Sequence, residues 1–118
     1  MTIITNTLIV IIAFQHIAFL VLEIFYWDKP LGRRVFGHSK ESAEVSKTLA
    51  ANQGLYNGFL AAGLIWGLSL GAEGASVSIF FLACVLVAGI FGGITASRKI
   101  LYIQALPALI GLVLIFFS

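Results

Sequence analysis

Residues 3–26 read IITNTLIVIIAFQHIAFLVLEIFY, and Glu23 is the only Asp, Glu, Lys or Arg among them. At about 1.5 Å of rise per residue, a helix of this length crosses a hydrocarbon core of roughly 30 Å. A membrane span is therefore expected. No basic residue precedes the run, which is too long for a signal-peptide core, so removal as a signal peptide is not expected. The composition agrees with this reading. The 118 residues are 60% hydrophobic and 10% charged, with a mean hydropathy of +1.07, values foreign to soluble domains. Seven Lys/Arg against five Asp/Glu leave a net charge of +2, too little for a nucleic-acid footprint. Cys84 is the only cysteine, which excludes an intrachain disulfide and a thiolate metal cluster, and a buried, inert thiol is expected there.

Three further apolar runs follow. Residues 27–48 form the one sizeable polar stretch, carrying Asp28, Lys29, Arg33, Arg34, His38, Lys40, Glu41, Glu44 and Lys47. Pro30 and Gly32 are expected to exclude helix near its start. Ser39 is a plausible N-cap with Glu41 in the first turn, and Glu44 stands three residues before Lys47. The second span is expected at about 49–70, a tight turn at Glu73 and Gly74, the third span at about 75–97 and the fourth at about 100–118. All seven basic residues fall in the connections before spans two and four. By the positive-inside rule that side is the cytoplasm, which leaves both termini outside. Tyr26, Trp27 and Tyr102 then mark the inner interface and Trp66 the outer one. The expected fold is all-α, one integral membrane four-helix bundle over residues 1–118, N-out and C-out, in a bacterial cytoplasmic membrane.

Small residues predict where helices touch. Ala50, Gly54, Gly58 and Ala62 recur every four residues on span two, with Gly63, Gly67 and Gly71 beside them. On span three Ala88, Gly92 and Ala96 run next to Gly89, Gly93 and Ser97.

The polar residues within the spans carry what chemistry there is. His16 and Glu23 are seven residues apart and share a stripe of the first helix, and an ionisable group in lipid needs a partner or a water-filled cavity. Asn52, Gln53, Tyr56 and Asn57 cluster on span two, and Tyr102 and Gln104 open span four. Counted from the inner ends, Glu23, Asn52, Gln53 and Gln104 lie roughly 5 to 6 Å deep, and His16 and Asn57 roughly 12 to 15 Å deep. Matching depths on three helices describe a pocket open to the cytoplasm, with Arg33, Arg34 or Arg98 at its rim. Three readings stand side by side: a hydrogen-bonded network that fixes helix register, a site for a small anion or an amphiphile, and a proton relay through His16 and Glu23 in a small transporter. One His and one Glu are too few for a metal site. His38 is expected to be a solvated loop side chain.

The stretch KTLAANQGLYNGFLAAGLIWG, preceded by WDKPLGRRVFG and followed by RKILYIQALPALIGL, resembles a family of short bacterial membrane proteins defined as a domain of unknown function. That resemblance covers nearly the whole chain and implies a four-helix membrane protein with no assigned activity. A more distant likeness is to the membrane-associated eicosanoid and glutathione metabolism proteins. It implies a trimer of four-helix subunits, glutathione as a cofactor and a transferase or peroxidase activity. Asn52 looks like that family's glutathione-holding Asn, Arg98 resembles its basic residue at the start of the fourth helix, and Tyr102 its glutathione-contacting Tyr. The family's acidic residue four positions after the Asn is Tyr56 here. Its Arg after the fourth-helix proline has no counterpart, since Ala108, Leu109 and Ile110 follow Pro107. A thiol would then lack the charge that lowers its pKa. A non-catalytic or weakly catalytic homo-oligomer embedded in the lipid bilayer, holding a small polar or amphiphilic ligand, is the leading expectation.

Overall fold

The computed structural model describes residues 1–117, which are almost entirely helical and contain no strand. Helix α1 spans Ile3–Phe25, and Thr2 caps it, its Oγ1 accepting from the Thr5 amide at 3.1 Å. Helix α2 is Pro30–Phe36, α3 Lys40–Ser69 and α4 Ala75–Thr95, with a 3₁₀ turn at Gly71–Gly74 between the last two. A π-helical turn at Leu101–Ala105 leads into α5, Leu106–Phe116.

Helix α2 overturns the expectation that Pro30 and Gly32 exclude helix. Pro30 occupies the first turn, where its missing N–H would have been unsatisfied in any case and its fixed φ suits the helix. Gly32 is buried, and a Cβ there would overlap the Tyr26 carbonyl. Glycine at this position lets α2 fold back onto the end of α1. The helix stops at Gly37, whose φ of 69° is left-handed. The cap at Ser39 forms as its sequence suggests, Oγ accepting from the Ser42 amide at 3.1 Å. Lys47, by contrast, pairs with Asp28 at 3.1 Å. The Lys47 hydrogen bond holds the Asp28 carboxyl below the usual carboxylate range.

The π turn also has a local cause. Pro107 has no N–H to donate and its ring would crowd the carbonyl four residues back, so the preceding turn widens. The Leu106 amide accordingly donates to the Leu101 carbonyl, five residues back.

The chain divides into two compact units. The first contains residues 1–14 and 60–117. Its core is Ile9, Ile12, Ala13, Leu64, Leu82, Val85, Ala108 and Ile115. Ser78, Leu82, Val85, Gly89 and Gly93 form the buried stripe of α4. Gly89 and Gly93 are thus the packing glycines, whereas Ala88 and Ala96 stay exposed. The second unit, residues 15–59, holds the rest of α1, α2 and the first part of α3. There Gly54 lies against Leu20, Glu23 and Ile24, and Gly58 against Leu20.

Candidate functional site

Within the second unit a side-chain hydrogen bond joins α1 to α3. Asn57 Nδ2 donates to Glu23 Oε1 at 2.5 Å, across 34 residues of sequence. Both side chains are buried, Glu23 being 8% exposed. Two turns earlier on α1, His16 is fully buried, its ring edge against Phe19 with centroids 5.4 Å apart. The local sequence explains the approach. Gly54 removes the side chain that would collide with Ile24 Cγ1 at 2.8 Å and Glu23 Cβ at 3.1 Å, so the helices close far enough for a short Asn to reach a Glu.

The other expected site residues lie differently. Asn52 turns back to its own helix, Nδ2 donating to the Thr48 carbonyl at 3.1 Å. Gln53 and Tyr56 are exposed, Tyr56 beside Phe59 with ring centroids 6.0 Å apart. Arg34 is exposed on α2 and Arg33 is half-buried. Arg98, Tyr102 and Gln104 belong to the first unit. Gln104 Nε2 donates to the Val85 carbonyl at 3.3 Å, Arg98 is exposed, and Tyr102 edges a groove of about 280 Å³ with Leu86, Ile90 and Leu109.

Two expectations for single residues are corrected. His38 is no solvated loop side chain. Its ring lies 4.2 Å from that of Trp27, and its Nε2 is 3.2 Å from the Trp27 carbonyl oxygen. Trp27 also packs against Phe36 at a tilt, ring centroids 4.8 Å apart, and donates from Nε1 to Ser46 Oγ at 3.0 Å. No sequence signal links these residues, because each partner lies nine or more positions away from Trp27. Cys84 is only partly buried and lines an open groove of about 540 Å³ with Phe80, Val87 and Phe91.

Two helical stretches, Ile3–Phe25 and Gly71–Thr95, are long and apolar enough to cross a membrane. Together with the buried carboxylate they define an all-helical protein with potential membrane spans and a polar pair sequestered between helices. The chain belongs to the family described as "Protein of unknown function (DUF1304)", whose model matches residues 10–116. It is similar to the "Uncharacterized protein YpaA" of Lactococcus lactis subsp. lactis (strain IL1403), 31% identical over 119 residues, covering 99% of this chain and all of that protein. No solved structure matches it.

Proposed function

We propose that the protein is a multi-pass membrane protein that holds a small polar or amphiphilic molecule at the Glu23–Asn57 pair, from a cytoplasm-facing opening. One observation carries this reading: a carboxyl group sits in an apolar helix long enough to span, buried and hydrogen-bonded to the Asn57 amide. An ionisable side chain in a span is costly, and such groups mark ligand or ion sites. A carboxylate offers about four acceptor positions and Asn57 fills one of them, which leaves capacity for a ligand that donates hydrogen bonds or carries positive charge. His16, on the same helix, adds a second group able to exchange hydrogen bonds.

The membrane reading draws support from the surface as well. Ile94 is 77% exposed and Phe91 68%, among many large apolar side chains that lack cover. Water does not tolerate so extensive an apolar surface, and acyl chains do. In this reading α1, α3, α4 and the segment from the π turn through α5 are the four spans, the seven basic residues face the cytoplasm and both termini lie outside.

Dicyclohexylcarbodiimide, a lipid-soluble reagent for carboxyl groups, tests the site in native membranes. Peptide mass spectrometry is expected to find Glu23 modified. Glu23 left unmodified in membranes, yet modified after denaturation, would mean a sealed pair that no ligand reaches, and the proposal would fall.

A further inference from the structure

Helix α2 presents a surface that neither the Glu23–Asn57 pair nor the rest of the second unit uses. It is clamped from below. Gly32 sits under the Tyr26 carbonyl, Phe36 packs on Trp27, and Trp27 is fixed in turn by Ser46 and His38. The outward side carries Leu31, 47% exposed, and Val35, 53% exposed. They are four residues apart and so share a face, with exposed Arg34 beside Val35.

The charges are equally unspent. Among the described residues Lys29, Arg33, Arg34 and Lys40 make no ion pair, while Lys47 is taken by Asp28. Arg33 buries its Nε with no acceptor from the described residues. A guanidinium is built to take two oxygens of a phosphate, and Arg33 is half-exposed and Arg34 exposed. Position names the source. Pro30 follows the end of α1 at Phe25 by five residues, so a helix that spans the bilayer delivers α2 to its surface.

We infer that α2 is a docking surface for anionic phospholipid, with Leu31 and Val35 entering between acyl chains and Arg33 and Arg34 taking the headgroup phosphate. The inference rests on the reading of α1 as a membrane span. Apolar side chains with neighbouring basic ones are what an interfacial helix needs, since burial and attraction to anionic headgroups add. Either alone binds a bilayer weakly.

Trp27 provides the readout, because it contacts α2 directly. In the Trp66→Phe protein, Trp27 is the sole tryptophan. That protein is reconstituted into phosphatidylcholine vesicles containing a minority of phosphatidylglycerol. Bromine is placed on the acyl chains of one lipid class, then on an equal mole fraction of the other. Brominated phosphatidylglycerol is expected to quench Trp27 about two- to fivefold more effectively, in line with the local enrichment that one basic residue near the surface produces. Arg33→Gln with Arg34→Gln abolishes the excess. Arg34→Gln alone, at an exposed position where folding is not at stake, reduces it. Equal quenching by the two lipids, or an excess that survives both substitutions, would overturn the inference and leave the membrane reading intact. No quenching by either lipid would remove the membrane reading with it.

Discussion

Asn57→Ala lowers stability by about 1–3 kcal/mol, the cost of leaving a buried acceptor without its donor, while Glu23→Gln costs less than about 1 kcal/mol. The asymmetry follows from what each change leaves behind. Removing Asn57 strands Glu23 Oε1 in a buried position with its 2.5 Å partner gone. Replacing Glu23 with Gln keeps a carbonyl oxygen in the same place for Asn57 Nδ2 to meet. Hydrogen bonds between helices in lipid average only about 0.6 kcal/mol when both states find partners. A cost near that figure for Asn57→Ala would indicate that Glu23 recovers a donor, from water or a ligand, when Asn57 is lost. Reversible unfolding in mixed micelles, followed by helical circular dichroism, measures both variants. If Glu23→Gln proves as damaging as Asn57→Ala, a role for the carboxylate in holding the fold is indicated and the separation drawn here fails.

Gly89→Ala is expected to cost about 1–3 kcal/mol, although alanine is the better helix former by up to about 1 kcal/mol. A Cβ at Gly89 would lie 2.7 Å from the Ala105 nitrogen and 2.9 Å from its Cα and Cβ. None of these atoms moves without shifting the π turn. Separation of α4 from that turn would also stretch the Gln104–Val85 bond, already 3.3 Å long. Gly58→Ala makes the informative contrast. Its new methyl would meet only the tip of Leu20, with Cδ1 at 2.6 Å, and a terminal methyl can rotate away. That substitution should be neutral within about 0.5 kcal/mol. Thermal denaturation of the two variants in the same detergent decides the point, and equal midpoints would show that close backbone approach at Gly89 is not limiting.

Much of the helical layout is visible in the sequence because apolar runs and their punctuation are local. The C-terminal end of α1 and the start of α3 follow from Tyr26, Asp28 and Ser39 alone. What depends on helix phase is harder to read. A four-residue repeat drifts around a helix of 3.6 residues per turn, so Ala50, Gly54, Gly58 and Ala62 do not stay on one side. The buried positions run Ala50, Gly54, Asn57, Ala61 and Leu64, and Ala62 faces outward. The same phase brings Asn57 to Glu23 and turns Asn52 and Gln53 away from it. Depth counted from the ends of apolar runs could not show this, since it takes each helix to enter the bilayer at its first apolar residue. Helix α2 is hard to see in the sequence because proline breaks a helix interior, whereas at a helix start, where Pro30 stands, it is favourable. Lys47 illustrates the remaining gap. Its sequence neighbour Glu44 is the obvious partner, but the chain reversal through α2 brings Asp28 nearer.

The central claim is that Glu23 holds a small molecule, and native mass spectrometry of the gently solubilised protein tests it most directly. Glu23→Gln is the right comparison, because it leaves Asn57 an oxygen to meet while removing the acidic group. The wild-type protein is expected to carry a small-molecule adduct that the variant lacks at equal stability. Adduct-free spectra from both proteins, or the same adduct on both, would contradict the claim and reduce Glu23 and Asn57 to a latch between two helices.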